Sequence, residues 1–308
     1  MKTIKSNLSI KAIWIGLQTF CIPLMLLIGF IQLNSCISDA EDIEIPEVEP
    51  KLVVHCFISP DDDTITLKLG QTRPLNNSTV IYDDWNQQNP IVNASVQISN
   101  QNGDSKTLTY SSLHQSYILP CLDFPIEVNK SYYLSVSAPD FKSISASCTV
   151  PAPNQNIIVN DVITQQINEY STDYIIKAQI TDIPNVENYY HFQIYLKSAE
   201  PYLNPKYQTN YYTQMDFQIG ESFFSDKNLD GAVFPFVAKA QSSSPNNSGI
   251  SEYKLILLTT DEHYYRYHTS LNIHQSPNPF IEPTILYSNI INGSGVFCAY
   301  NKYTMDYS

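Results

Sequence analysis

Apolar and polar residues alternate in short runs through the first half of the chain, between Lys51 and Val150. The clearest runs are Thr64–Leu69 and Tyr132–Ser137, in which every second side chain is apolar. This period of two is typical of a β-strand that buries one face and exposes the other to water. We therefore predict a β-sandwich over residues 51–152. Its predicted strands are Leu52–Ser59, Thr64–Thr72, Ala94–Ser99, Ser105–Tyr110, Ser116–Leu119, Tyr132–Ala138 and Ile144–Val150.

A Pro-rich tetrad, Pro151–Asn154, separates this half from the rest and favours a domain boundary. We predict a second, β-rich domain over residues 153–308. Its predicted strands are Ile157–Ile163, Tyr174–Asp182, Tyr189–Lys197, Asp216–Ile219, Ala232–Ala240, Tyr253–Thr259, Thr284–Ser288 and Gly295–Tyr300.

One helix is predicted in the second half, at about residues 260–275. Thr259 and Glu262 have the spacing of a capping box, and Tyr264, Tyr267 and His268 follow at helical spacing. The predicted fold class is therefore all-β, with two β-sandwich-like domains, the second carrying one α-helix near its C-terminal end.

The N-terminal segment has the pattern of a secretory signal, with a basic head followed by the apolar run Ala12–Ile31. Leu33-Asn34-Ser35-Cys36 follows and resembles the bacterial lipobox, in which the Cys is lipidated and becomes the new N-terminus. Residues 1–35 are thus predicted to be a lipoprotein signal peptide, and Cys36 a lipidation site. The alternative is an uncleaved transmembrane helix, because the apolar run approaches the ~20 residues needed to span a bilayer.

Residues 36–50 are predicted to be an acidic tether. Asp39, Glu41 and Asp42 resemble the export signal that sends lipoproteins of the Bacteroidota to the outer face of the outer membrane. A solvated tether without an export role would have the same composition. The net charge of −13 argues against nucleic acid as a partner.

The segment from Asn93 to Pro139 resembles the carboxypeptidase regulatory-like and transthyretin-like sandwich modules. The whole chain resembles the Bacteroidota lipoproteins known as domain of unknown function 4249. The shared motifs are Pro50–Val54, Phe224-Ser225-Asp226 with Asp230-Gly231, Tyr264–Tyr267, Pro279–Pro283, Tyr287–Ile290 and Asn292–Phe297. The resemblance implies an outer-membrane lipoprotein whose relatives are commonly encoded beside TonB-dependent receptors. It implies no catalytic residues.

Asp226, Asn228 and Asp230, followed by Gly231, match the first half of an EF-hand calcium loop. The twelfth position of that loop must supply a bidentate carboxylate, and here it is Val237. A polar β-turn explains these residues equally well. We therefore predict no cofactor apart from the covalent lipid on Cys36, and a bound calcium ion is the alternative.

The 22 tyrosines are the clearest compositional excess, and four of them are close together at Tyr202, Tyr207, Tyr211 and Tyr212. Tyrosine suits contact surfaces because it covers a large area and keeps a hydroxyl group. Packing in a core or on an edge strand is the alternative. We predict a binding surface at these four positions.

Four cysteines, Cys56, Cys121, Cys148 and Cys298, remain beyond the signal and the lipid site, and their disulfide pairing is open between three full connectivities. No motif of a zinc hydrolase, a serine hydrolase or a nucleotide-binding loop occurs in the sequence.

The sequence thus predicts a non-catalytic, surface-exposed outer-membrane lipoprotein that captures a ligand for a TonB-dependent transporter. The alternative is a structural or adhesive module of the cell surface. A hydrolase whose site residues are remote in sequence is the third hypothesis.

Overall fold

The computed structural model describes residues 49–72, 90–199, 210–242, 252–274 and 285–308. Within these ranges the chain forms strands and one helix, α1 (Glu262–His274). The strands are β1 (Leu52–Ile58), β2 (Thr64–Gln71), β3 (Ser95–Asn100), β4 (Ser105–Ser111), β5 (Ser116–Pro120), β6 (Ser131–Ser137), β7 (Ile144–Thr149), β8 (Ile157–Asn168), β9 (Ser171–Thr181), β10 (Tyr189–Ala199), β11 (Asn210–Gln214), β12 (Asp216–Ile219), β13 (Phe223–Ser225), β14 (Val233–Ser242), β15 (Glu252–Thr260) and β16 (Ser294–Tyr307).

The predicted all-β fold class with one helix near the C-terminal end is confirmed. All seven predicted strands of the first half are present within one or two residues of their predicted ends. The second half differs in several places. Strands β11 and β13 were not predicted, and β8 and β16 continue well beyond their predicted ends at Ile163 and Tyr300. Residues 285–288 of the predicted strand Thr284–Ser288 have no regular secondary structure.

The first half folds over on itself at β4. The N-terminal part of β4 pairs with β3, and its C-terminal part pairs with β5. As a result, β1, β2 and β5 face β3, β6 and β7 across a core to which both groups contribute, for example Leu67 and Val136. The alternation predicted for Thr64–Leu69 and Tyr132–Ser137 is observed, since the apolar positions are buried and the polar ones are mostly exposed.

The long strand β16 belongs to both halves. Its N-terminal part pairs in parallel with β1, and its C-terminal part pairs antiparallel with β15. Phe297 therefore lies in the core of the first half, while Met305 packs against the core of the second. The described residues form one compact unit, and the sheet continues across the boundary predicted at Pro151–Asn154. The two halves keep separate cores and share one strand.

The second half is a sandwich of its own. Strands β12, β14, β9 and β8 form a separate sheet, in that order. Its buried residues, such as Ile176 and Phe236, share a core with Phe192 on β10 and Leu255 on β15.

Helix α1 begins at Glu262, and Asp261 is its N-terminal cap. The Tyr264 backbone N–H donates to Asp261 Oδ1 at 2.8 Å. The predicted capping box is therefore wrong, because Thr259 lies within β15 and accepts a hydrogen bond from the Asn154 N–H. The second carboxylate oxygen of Asp261 accepts from the Ala299 N–H at 3.1 Å, which ties the start of the helix to β16.

The outer edge of β7 is covered by the segment that precedes β16. The Ile291 N–H donates to the Ser145 carbonyl at 2.9 Å, and the Asn289 side-chain amide donates to the Ser147 carbonyl at 3.2 Å. The same amide group also exchanges hydrogen bonds with both backbone groups of Phe297. An open strand edge invites pairing with other chains, and this segment protects β7 from it.

Candidate functional site

Several of the predicted site residues lie outside the described part of the chain. These are Cys36 and the export residues Asp39, Glu41 and Asp42, together with Tyr202 and Tyr207. Their roles stay predictions. In the described ranges, no helix is long and apolar enough to cross a membrane.

Two of the four predicted contact tyrosines, Tyr211 and Tyr212, belong to β11, which pairs with β10 at the end of the larger sheet. The Tyr212 side chain is 45% exposed, and Lys254 Nζ lies 4.5 Å from its ring centroid. Such a cation–π contact holds the ring in place while leaving part of it open to solvent. Tyr212 is thus available for contact with a partner from an edge strand.

Asp226 and Asp230 of the predicted calcium loop lie close together, and the fold adds a third carboxylate, Asp182. One carboxylate oxygen from each residue lies within 4.8 Å of the others. Asp182 and Asp226 are buried, whereas Asp230 is exposed. Asn228 lies in the turn between them with a positive φ of 65°.

Hydrogen bonds occupy most oxygens of this cluster. Asp182 accepts from the Tyr190 hydroxyl at 2.5 Å and from the Gly231 N–H at 2.8 Å. Asp226 accepts from both the backbone and the side-chain amide of Asn188. Burial, together with the nearby Asp182 charge, raises the pKa of Asp226. The cluster therefore fastens the turn at 226–231 to the loop that precedes β10.

The sequence did not indicate Asp182, because it lies far from Asp226 along the chain and carries no motif of its own. Only the pairing of β9 with β14 brings the ends of these strands together. A cluster of carboxylates is also the chemistry that a calcium ion prefers, although calcium usually takes six to eight oxygen ligands.

Calcium binding and a purely hydrogen-bonded turn predict opposite effects for Asp230→Asn. We expect the hydrogen-bonded turn, because the donors already present use most of the carboxylate oxygens. The variant should then be as stable as the parent or slightly more stable, since it removes a like charge and keeps an acceptor for the Asn185 N–H. Thermal melting in millimolar calcium and in EDTA measures this. The exposed Asp216→Asn is the control. A melting temperature raised by calcium in the parent, and not in Asp230→Asn, would establish an ion site instead.

Helix α1 covers a group of aromatic and imidazole rings on the larger sheet. His191 Nδ1 and the Tyr264 hydroxyl are 2.9 Å apart, and His191 stacks on Phe223 with ring centroids 4.1 Å apart. His268 also stacks on Phe223, with ring centroids 5.6 Å apart, and its ring lies 6.2 Å from that of His191. Burial lowers the pKa of both His191 and His268 to about 4, so both rings are neutral at physiological pH. These histidines act as packing groups that join the helix to β10.

The N-terminal cap of the helix is an unusual carboxyl group. Burial raises the pKa of Asp261 to about 7, although the N–H groups of Tyr264 and Ala299 favour its charged form. It is therefore partly protonated near neutral pH.

The four remaining cysteines are free thiols in the structure. Burial raises the pKa of Cys56 to about 12 and raises the pKa of Cys148 and Cys298 well above the usual value. A thiol with a raised pKa is a poor nucleophile and a poor metal ligand. Cys56, Cys148 and Cys298 are therefore inert core residues, and Cys121 is only partly buried.

These features define a class of protein: an all-β chain of two sandwich-like halves joined by a shared C-terminal strand, with one helix packed on the sheet. The chain belongs to the family described as Domain of unknown function (DUF4249), whose model matches residues 39–306. A search of curated proteins gives no significant match.

Among solved structures, the chain is similar to bacterial alpha-2-macroglobulins at low identity. A mutant from Salmonella is 10% identical over 88% of this chain and 15% of its own, with a TM-score of 0.24. The trypsin-activated protein from Escherichia coli is 9% identical over 69% of this chain and 14% of its own, with a TM-score of 0.24. The chain thus spans about one seventh of the length of these proteins, and TM-scores of this size are too low to infer a shared fold.

Proposed function

We propose that this chain is a non-catalytic lipoprotein on the surface of a Bacteroidota outer membrane, and that it captures a ligand for a TonB-dependent transporter. The observation that carries the proposal is the position of the lipobox-like motif. Cys36 lies three residues before residue 39, where the family match begins. A lipid on Cys36 would therefore hold the whole folded region at a membrane.

The acidic residues Asp39, Glu41 and Asp42 support the surface location, because they lie directly behind Cys36 as in the export signal they resemble. The tether of residues 36–50 would let the folded body reach up to about 50 Å from the bilayer when fully extended. That reach is sufficient for contact with the outer side of a neighbouring transporter.

The exposed ring of Tyr212 supports a role in binding. It lies on the edge strand β11, and its neighbours Lys197 and Glu252 form an ion pair beside it. Aromatic rings are enriched at the centre of protein contacts, and polar groups surround them at the rim.

The proposal predicts a stoichiometric β-barrel partner when the native lipoprotein is purified from detergent-extracted membranes. The combined variant Tyr202→Ala, Tyr207→Ala, Tyr211→Ala and Tyr212→Ala should bind that partner at least roughly tenfold more weakly, because truncating a central aromatic contact typically costs ~2 kcal/mol or more. The yield of partner per mole of lipoprotein is the measurement.

Tyr170→Ala is the matched control, since Tyr170 is 62% exposed in the turn between β8 and β9. Equal partner yield from the control and the combined variant would remove the tyrosines from the interface. Purification of the parent without any barrel protein would favour the structural or adhesive alternative.

A further inference from the structure

The outward face of strands β3, β6 and β7 is made almost entirely of hydroxyl and amide side chains. The strands have the sequences SVQISN, SYYLSVS and ISASCT, and none contains a charged residue. Their apolar residues alternate into the core, so the polar ones share the opposite face. This composition is unusual in a chain with 30 acidic and 17 basic residues.

The strand register gathers these side chains into one groove. Tyr133 lies between Ser99 and Ser147, and Ser135 lies between Gln97 and Ser145. The groove has a volume of about 420 Å³, and among the described residues no Asp, Glu, Lys or Arg lines it.

One side of the groove is a wall formed by His263 at the start of α1 and by the segment from Asn289 to Ile291. Hydrogen bonds fix this wall. His263 Nδ1 lies 2.7 Å from the Tyr287 hydroxyl, and Asn289 and Ile291 bond to the backbone of β7. A site held in place before binding avoids part of the entropy lost when a ligand is ordered.

The floor of the groove offers unused hydrogen-bonding groups. Within the described residues, the exposed hydroxyls of Ser135, Ser145 and Ser147 have no hydrogen-bond partner. Each hydroxyl can both donate and accept. Tyr133 adds an aromatic ring that is 47% exposed.

These groups restrict the chemistry of a ligand. A charged ligand would find no counter-charge among the described lining residues, and a wholly apolar one would strip water from the serine hydroxyls without replacing their hydrogen bonds. A sugar ring fits both demands, because its hydroxyls donate and accept while its C–H face can pack on an aromatic ring. We propose that this groove binds an uncharged oligosaccharide, with Tyr133 as the stacking platform and the three serines as hydrogen-bonding partners.

The idea that this oligosaccharide is the ligand delivered to a transporter rests on the function proposed above. Oligosaccharide binding itself does not, because it can be measured on the purified lipoprotein with no transporter present. Loss of the barrel partner and loss of oligosaccharide binding are therefore distinguishable results.

Affinity electrophoresis of the intact, detergent-solubilised protein tests the proposal. Native gels are cast with starch, xylan, galactomannan or mixed-linkage β-glucan, and with polygalacturonate as the anionic control polymer. The parent should be retarded by at least one neutral polysaccharide and not by polygalacturonate. Tyr133→Ala should weaken that retardation by roughly tenfold or more.

Tyr170→Ala serves as the control, because it removes an exposed tyrosine outside the groove and should bind like the parent. Ser135→Asp is a second groove variant, which places a charge beside Tyr133 without shortening any core side chain, and it should also lose binding. Melting temperatures confirm that each variant is folded. The proposal is overturned if no neutral polysaccharide retards the parent, if only polygalacturonate does, or if folded Tyr133→Ala binds as tightly as the parent.

Discussion

The Gly295→Ala variant should fail to reach the native fold. Gly295 pairs with Val54 where β16 runs parallel to β1, and its φ is +99°. A Cβ atom at this position would lie 1.9 Å from the Val54 carbonyl oxygen and 2.9 Å from the Val54 nitrogen. The obstacle is backbone, so it cannot move aside without separating the two strands.

Because β16 contributes to both cores, this separation should affect the whole structure. We expect a loss of more than ~4 kcal/mol in the free energy of unfolding, which is the range of the most severe single substitutions. Soluble yield and urea denaturation of the variant measure the effect.

Gly103→Ala is the matched control. Gly103 also has a positive φ, of +91°, but a Cβ atom there would meet nothing within 4 Å. Its cost should be limited to backbone strain, of about 1–3 kcal/mol. Equal unfolding midpoints for the two variants would show that the contact with Val54 is unimportant.

Cys36→Ala should abolish lipid attachment. In the lipobox interpretation the thiol of Cys36 is the acyl acceptor, and the apolar run ends five residues before it, at Ile31. Each methylene buried in a bilayer contributes ~0.8 kcal/mol, so the unlipidated chain should lose its stable membrane attachment. Incorporation of labelled fatty acid and fractionation of the cells measure both effects.

Two variants separate lipidation from the other features of this segment. Cys21→Ala removes a thiol inside the apolar run and should be labelled like the parent. Replacing Asp39, Glu41 and Asp42 by alanine should keep the label but prevent digestion by protease added to whole cells. Labelled Cys36→Ala protein would contradict the lipoprotein interpretation, and unchanged digestion of the acidic variant would leave the tether without an export role.

The strands of the first half could be predicted because alternation is a local property. Successive side chains of a strand point to opposite faces, so Thr64–Leu69 shows its buried face without reference to any partner. The turn residues between the runs then place the strand ends within one or two positions. The helix could be predicted for the same reason, although its cap is Asp261 rather than Thr259.

Strands β11 and β13 could not be predicted in this way. β13 has only three residues, which is too short for a period to be detected, and it is stabilised by its pairing with β10. β11 carries consecutive tyrosines and threonine, NYYTQ, with no alternation.

The candidate sites show the same division between local and distant information. The sequence indicated Asp226 and Asp230 through their spacing, yet Asp182 joins them only through the pairing of β9 with β14. The serines that line the groove belong to three strands, and the pattern of each strand alone indicates only an ordinary solvent-exposed face.

By itself, the sequence determined the all-β class, the strand faces, the single helix and the motif at Cys36, because each depends on residues within a few positions of one another. The tertiary structure decided the parallel pairing of β16 with β1, which joins the two ends of the described chain and requires glycine at position 295. It also decided that the polar residues of β3, β6 and β7 lie side by side in one groove. Such pairings depend on the packing of complete strands, and no local pattern encodes which distant strand will be the neighbour.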